Sequence, residues 1–515
     1  MNLYQTAAFH ALRRPEKTAI VDGQSSFTFT DLTQRAQEVA AFLEGKGVQR
    51  GDRVCLLMHN SIDQVALYHA TALTGFILVP VNSRYDAEAL AHVVKDCTPR
   101  IVLYEEDFAS VVAAARPALD RLETEWLAVS EEALRSMPEF APLVTRFGDV
   151  SPDDVALILY TSGTTSLPKG AMLTHGNLVW NAVNYLIELG ISAESRAILA
   201  TPLFHIGGFG VLNGPVLYAG GSLQLVPRFI PEKVIEALDA AQPTHLFLLS
   251  TMWVALTDSE VFRERRYEDV AYIQTAAAPL SAWRQDIIRQ VFPNADFGWG
   301  FGMTETCVTT IKNRYTHEIL DHPGSMGYVW RHVAYRVADA EGAVADPVGN
   351  RGELQIKGPT VFAGYWGDPE ATSAAFTEDG WLRTGDILSF DEDGFAYFRG
   401  RSKDMIKTGG ENVAALEVEN CLAEHSEVTE SAVFGLPHEY WGEELVAAVV
   451  LKPDAESVAD ALREHCRSRL SAFKVPKRIF IVDDLPHSAS GKIQKFRLRE
   501  RFGDTAGQSE RGESL

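Results

Sequence analysis

Six apolar residues at 155–160 (VALILY) run straight into the polar segment TSGTTSLPKG at 161–170, and that junction narrows the folds open to this chain. A short apolar run of this kind reads as a buried strand. A loop leaving a strand end is where α/β folds bind nucleotides. Thr161, Ser162, Thr164, Thr165 and Ser166 supply hydroxyls, Gly163 and Gly170 let backbone N–H groups reach an anion, and Lys169 adds a positive charge. The composition suits a polyphosphate. It is not the mononucleotide P-loop, which ends Gly-Lys-Ser/Thr, whereas here Pro168 precedes Lys169 and Gly170 follows. Standing alone, the segment has the lesser alternative of a Ser/Thr/Gly-rich surface turn, and other parts of the chain decide.

The surrounding rhythm supports an α/β fold. Residues 30–46 are amphipathic with helical spacing, 53–58 form a short apolar strand and 61–74 are helical again. Strand patterns at 222–226 and 244–249 flank a helical one at 232–241. Such alternation implies a mostly parallel sheet covered by helices. After Gly324 the texture changes to short strands and glycine turns, as at 352–357 and 394–398, which suggests a small β-rich subdomain. A charged, glycine-bearing stretch at 400–413 then leads to a helix at 415–423 and strands at 428–434 and 444–451, a compact α+β domain. The last residues, 503–515, are polar and expected to be disordered.

At 515 residues the chain exceeds one hydrophobic core, so two or more domains are expected. Its 69 acidic and 47 basic side chains give a formal charge of −22, a field that repels nucleic-acid phosphates. No nucleic acid partner is therefore expected. Cys55, Cys97, Cys307, Cys421 and Cys466 form no CxxC pair, which argues against a disulfide framework or a structural zinc site and fits a reducing cytoplasm. The apolar runs are far short of a membrane span, and the N-terminus reads as the first turn of a folded domain.

Four further segments carry polar groups beyond the needs of packing. GWGFGMTET (298–306) sets Thr304 and Glu305 at the end of a glycine-punctuated run, a hydroxyl for phosphate and a carboxylate for Mg²⁺. WLRTGDI (381–387) places Asp386 after a Thr-Gly turn, where its two oxygens can accept from both ribose hydroxyls, and Arg401 can add a second contact to that sugar. LPHSASGKIQK (485–495) carries Lys492 on a Ser/Gly loop. Two phosphate-directed lysines on separate domains suggest a site closed by domain motion.

These five segments, in this order, resemble the signature of the adenylate-forming superfamily, which contains acyl-CoA synthetases, luciferases and the adenylation domains of peptide synthetases. The resemblance runs from about residue 8 to about 500. It implies a large N-terminal domain (1–400) of mixed, mostly parallel sheets with helices and a small β-rich subdomain, a hinge at 401–403 with Lys403 at its pivot, and a small mobile α+β domain (404–515). It further implies ATP, Mg²⁺ and coenzyme A as reactants or cofactors. By resemblance, 161–169 is the phosphate-binding loop, Thr304 a phosphate contact, Glu305 the magnesium ligand, Asp386 and Arg401 the ribose contacts, and Lys492 the lysine orienting carboxylate and α-phosphate. Ala276, Ala277 and Ala278 then stand where adenine stacks, within an AAAPL that departs from the more usual Gly-Gly-Ala-Pro; Ser166 likewise replaces a glycine common in the phosphate loop.

The same resemblance places Gly409 and Gly410 beside a pantetheine tunnel, and Trp441, Phe473 and Lys474 around the CoA adenine and phosphates, with Lys477 and Arg478 completing a basic cluster. The alternative from the residues alone is a core aromatic at Trp441 and a solvated turn at 473–478. PLFHIGGFG (202–210) resembles the segment lining the acyl pocket, with His205 as its gate, where the residue alone reads as a packed histidine; no aspartate stands there of the kind that amino-acid-activating relatives use to bind an ammonium group, which disfavours α-amino acids. Gly207, Gly208, Ala276, Ala277 and Gly300 would leave the pocket wide, and Ile206, Met252 and Met303 would add apolar wall, so a fatty or aromatic acid fits better than acetate. The implied reaction is AMP-forming acyl-CoA synthesis; the competing assignments are an adenylating enzyme that loads a carrier protein and a catalytically silent binding protein. A homodimer is compatible with this reading.

Overall fold

The computed structural model describes residues 2–129, 150–161, 168–276, 280–339, 341–408, 411–438, 440–452, 455, 458–487 and 493–503, without the side chains of 403 and 412. These divide into two compact units, one of residues 1–334 and 356–382, the other of 335–355 and 383 onward.

The first unit holds two large sheets. One has nine strands, of which six run parallel in the order Asp296–Met303, Tyr272–Ala276, His245–Leu249, Arg196–Leu199, Ser222–Leu225 and Thr18–Asp22. The other has seven strands; Ile77–Pro80, Arg53–Leu57, Ile101–Tyr104 and Glu125–Ala128 are parallel to one another. Their near-continuous apolar sequences are what a sheet covered on both faces requires. Helices cover them because their apolar residues recur at helical spacing. In Phe29–Gly45, Leu32, Ala36, Val39, Ala40 and Leu43 are buried, and Thr28 and Asp31 form a reciprocal N-terminal capping box. The helix Ile62–Thr74 starts on the Ser61 hydroxyl and stops at Gly75, whose φ of 78° closes it in the left-handed region. The N-terminal residues are folded too: Asn2 caps the helix Leu3–Arg13.

The second unit contains a five-stranded sheet ordered Val344–Ala345, Ala334–Ala338, Arg351–Lys357, Leu382–Phe390 and Ala396–Arg401, and a five-stranded sheet built on the long antiparallel pair Val428–His438 and Gly442–Leu451. The strand expected at 394–398 begins instead at Ala396, since Gly394 turns the chain with a φ of 83°. The segment 401–403 lies within this unit, where the strand Ala396–Arg401 passes into a 3₁₀ turn at Ser402–Asp404. Residues 504–515 lie outside the described residues.

All five cysteines are free and buried. Cys55 and Cys97, 42 residues apart in sequence, bring their sulfurs to 3.6 Å without a bond, and burial with the neighbouring thiol pushes Cys55 up. Among the described residues, no helix is long and apolar enough to cross a membrane.

Buried histidines give the fold a pH dependence. His69, His175 and His245 are buried, and desolvation lowers each from the ordinary 6.5 to about 4. The unfolded chain therefore binds more protons than the native one between those values. Stability is fully present above pH 6.5 and falls as pH drops toward 4, by about 1.4 kcal/mol per pH unit for each group. Thermal unfolding at pH 5 is expected at least ~5 °C below that at pH 7.5. An unchanged or higher midpoint at pH 5 would contradict this balance.

Candidate active site

In an open α/β sheet, ligands bind beyond the carboxyl ends of the strands, where neighbouring connections leave in opposite directions. The nine-stranded sheet has such a point at Arg196–Leu199: the chain leaves it for Ser222–Leu225 on one side and later returns to His245–Leu249 on the other. The residues emerging from these ends are the ones singled out for the acyl pocket. His205, Ile206, Gly207 and Gly208 follow the first strand; Met252 lies in the helix Ser250–Asp258 directly after the third; Ala276 ends the next; Met303 ends Asp296–Met303. A β-carbon on Gly207 would stand 3.3 Å from the Phe247 ring, so this glycine lets the loop lie against the neighbouring strand. Gly208 does something other than widen a pocket. Its β-carbon would be 2.2 Å from the Pro202 carbonyl oxygen, so its lack of a side chain serves a tight backbone approach. Gly300 likewise gives its space to Gln274, whose amide nitrogen would be 2.4 Å from a β-carbon there. Burial and the nearby Arg84 lower His205 to about 4, so its imidazole is neutral at pH 7.

The segment expected to bind phosphate lies between the two strands of a hairpin. The strands Val155–Thr161 and Lys169–Thr174 are antiparallel, with Thr161 directly opposite Lys169 at its mouth. Ser162, Gly163, Thr164, Thr165 and Ser166 lie outside the described residues. Lys169 Nζ sits 3.6 Å from Asp368 Oδ2 and 5.4 Å from the centre of the Tyr365 ring. Tyr365 in turn donates its hydroxyl to Glu305 Oε1 at 2.8 Å. Glu305 is held in the 3₁₀ turn Thr304–Thr306 and its carbonyl accepts from the Phe362 N–H at 2.9 Å. Tyr365 thus links the phosphate-loop lysine to the acidic residue, two groups 136 positions apart in the chain. Its phenol is held neutral, pushed up by burial and by the Glu305 carboxylate.

Tyr365 and Asp368 were not among the residues expected from sequence. The signal available was GYWGDPEAT at 364–372, a glycine turn into an Asp-Pro helix start. Asp368 caps the helix Pro369–Ala375 through the Ala371 N–H with one oxygen and faces Lys169 with the other.

In the second unit, Asp386 and Arg401 are register partners on adjacent antiparallel strands. Arg401 Nε lies 3.0 Å from Asp386 Oδ1; the carboxylate is buried while the guanidinium is partly exposed. The Asp386 N–H donates to the Thr384 hydroxyl at 3.1 Å. The CoA candidates divide. Trp441 is 38% exposed and Phe473 39% exposed, which removes the core-aromatic alternative. Lys477 Nζ stands 5.3 Å from the Trp441 ring centre. The other two cations of the expected basic cluster are already paired: Lys474 with Glu417 at 2.6 Å and Arg478 with Glu444 at 2.5 Å. Ala277, Ala278, Gly409, Gly410, Lys492 and the side chain of Lys403 lie outside the described residues.

Comparison with known proteins shows the family. The family model for AMP-binding enzymes matches residues 8–366, and the model for their C-terminal domain matches 417–492. The chain belongs to this family, within the adenylate-forming superfamily and its acyl-CoA synthetases. It is 35% identical to a feruloyl-CoA synthase of Amycolatopsis sp over 491 residues, 95% of this chain and 96% of that protein. It is 32% identical to an indoleacetate–CoA ligase of Aromatoleum aromaticum, covering 97% and 98% of the two chains. Among solved structures, the ATP-bound MatB of Rhodopseudomonas palustris superimposes with a TM-score of 0.87 at 32% identity, over 98% of this chain and 100% of that one.

Proposed function

We propose that this protein is an AMP-forming acyl-CoA synthetase: a carboxylic acid and ATP give an acyl-adenylate and pyrophosphate, and the acyl group then passes to the thiol of CoA with release of AMP. The observation that carries the reading is the chain of contacts from Lys169 through Tyr365 to Glu305, which assembles a cation and a carboxylate at the end of the hairpin where Thr161 pairs with Lys169.

The chemistry follows from where charge develops. A carboxylate attacking the α-phosphorus brings two anions together, so donors and cations fixed in advance supply the acceleration. Lys169, Thr161 and the loop residues Ser162, Gly163, Thr164 and Thr165 serve the departing phosphates, with Thr304 as a further contact. The Glu305 carboxylate fits Mg²⁺, which is ordinarily held through one carboxylate together with phosphate oxygens; the ion would offset charge on the phosphates. Only one oxygen of Glu305 is engaged by a protein donor among the described residues. Asp386, aligned by Arg401, accepts from the ribose hydroxyls, and Ala276, Ala277 and Ala278 line the adenine. Lys492 orients the reacting carboxylate, and residues 401–403, with Lys403, act as the hinge between half-reactions.

For the second half-reaction, Gly409 and Gly410 border the pantetheine path. The exposed Trp441, with Lys477 over its ring, offers a stacking face and a positive charge to the CoA adenine and its phosphates, supported by Phe473. Lys474, tied to Glu417, contributes less than its charge suggests.

The acid is large and apolar or aromatic, lying among His205, Ile206, Gly207, Met252, Gly300 and Met303. The five free thiols suit a reducing cytoplasm, and a homodimer is compatible with the reading. A panel of aliphatic and aryl carboxylic acids, each supplied with ATP, Mg²⁺ and CoA, tests it. Thioester and AMP are expected in equal amounts with medium or long fatty acids or aryl acids. Thioester formed on a carrier protein and not on CoA would contradict the CoA assignment.

A further inference from the structure

The residue directly before Thr161 and the residue directly before Lys169 are both held by one helix outside the hairpin. That helix, Ala87–Cys97, starts on the Asp86 carboxylate and stops at Thr98, whose φ of 41° lies in the left-handed region. Leu90, Val93, Val94 and Cys97 are buried, which anchors it in the core. His92 and Asp96, one turn apart, share another face of it. The Tyr160 hydroxyl donates to Asp96 Oδ2 at 2.5 Å. His92 Nε2 stands 3.0 Å from the Pro168 carbonyl oxygen, and since a carbonyl only accepts, Nε2 carries the proton. Thr161 and Lys169, which follow Tyr160 and Pro168 in the chain, are register partners at the hairpin's mouth.

Two features set these contacts apart from ordinary surface pairing. At this end the helix does not pack flush against the hairpin: a cavity of about 200 Å³ lies between them, lined by His92, Asp96, Lys169, Trp366 and Asp368. Two directional hydrogen bonds reaching across that gap, and not interdigitated apolar side chains, fix where the mouth sits. The hairpin is also shaped for them. Gly170 is the register partner of Tyr160, and a β-carbon there would stand 3.2 Å from Tyr160 Cζ and 2.7 Å from Ile158 Cγ2, so the glycine leaves room for the ring. Pro168 has no N–H and lies beyond the last register pair, which leaves its carbonyl to the histidine. Burial, with the Asp96 carboxylate beside it, pushes the Tyr160 phenol up, so this donor keeps its proton.

We propose that His92 and Asp96 are positioning residues for ATP: through Pro168 and Tyr160 they set the places of Lys169 and Thr161, and with them the affinity for the nucleotide's phosphates. Neither residue touches the reacting atoms. A displaced mouth loses phosphate contacts that are already made on binding, so the loss falls on ATP affinity and on KM for ATP, with kcat little changed. Each hydrogen bond of this kind is worth about fivefold in that affinity. The proposal rests on the reading of 161–169 as the segment that binds ATP phosphates.

Isothermal titration of the full-length protein with ATP and Mg²⁺, in the absence of acid and CoA, tests it. Y160F, which removes one hydroxyl, and H92A are each expected to raise Kd for ATP about fivefold. In turnover with an accepted acid, KM for ATP rises by a similar factor, while kcat and KM for the acid stay within about twofold of wild type. D96N keeps an acceptor for Tyr160 and H92Q keeps an N–H where Nε2 stands, so each is expected to weaken ATP binding by less than about twofold. Should Y160F fail to fold, as judged by circular dichroism, H92A set against H92Q carries the test. Unchanged ATP affinity in Y160F and H92A, losses in D96N and H92Q as large as in those two, or a loss confined to KM for the acid would overturn the proposal. A wild type that binds no ATP refutes the phosphate reading itself, which is a separate outcome.

Discussion

Replacing Lys492 by alanine is expected to slow adenylate formation by ~10²-fold or more while leaving acyl transfer from a presynthesised adenylate to CoA within a few-fold of wild type. The magnitude follows from charge. A cation about 4 Å from the developing negative charge contributes roughly 4 kcal/mol at an effective dielectric near 20, equivalent to about three powers of ten in rate. The asymmetry follows from the chemistry of the two steps. In the first, two anions approach and a lysine offsets their repulsion; in the second, the carboxyl is already activated as a mixed anhydride and the leaving group is AMP. Single-turnover measurements of the two half-reactions check this separately. Equal losses in both would contradict the assignment of Lys492 to adenylation alone.

The converse variant is Gly409→Leu. Glycine suits a wall along which the thin pantetheine chain slides, and a four-carbon side chain would stand in that path. Adenylate formation is expected to stay near wild type, read as acid-dependent pyrophosphate release, while thioester formation falls by about 10²-fold. The strands Met405–Thr408 and Glu411–Ala414 flank this position, with Thr408 paired to Glu411. Normal thioester formation by Gly409→Leu would mean that CoA enters elsewhere. Together the two variants separate the half-reactions in opposite directions, a pattern that general damage to the fold cannot produce.

Much of this organisation was legible in the sequence because its signals are local. The apolar runs at 222–226 and 244–249 and the amphipathic stretches at 30–46 and 232–241 correspond to elements whose ends differ by one or two residues. What escaped was long-range. The phosphate loop was readable as a loop after a strand, yet nothing local marks KGAMLT as the returning strand of a hairpin, since its pairing with 155–161 is the only thing that defines it. Tyr365 is an aromatic in a glycine turn until the fold brings its hydroxyl to Glu305, 60 residues away. Lys312 is a polar residue at the end of a strand, and only the fold shows it to be fully buried with its Nζ on Gln274, two strands away in the sheet.

The expectations drawn from charge and size alone were revised most. Lys474, Lys477 and Arg478 form a basic cluster in sequence, but Glu417 and Glu444 pair with two of them, because acidic residues dominate this protein's surface. The glycines expected to widen the acyl pocket also have other uses. Gly208 permits a backbone approach and Gly300 admits the Gln274 amide, neither of which residue size could foretell.

The most direct test of the central claim is isotope exchange between pyrophosphate and ATP, run with purified full-length protein, Mg²⁺ and a broad set of acids, with CoA withheld. Exchange that depends on an added acid and disappears in Lys492→Ala is the predicted result. No exchange with any acid, or exchange that proceeds equally well without one, would contradict it.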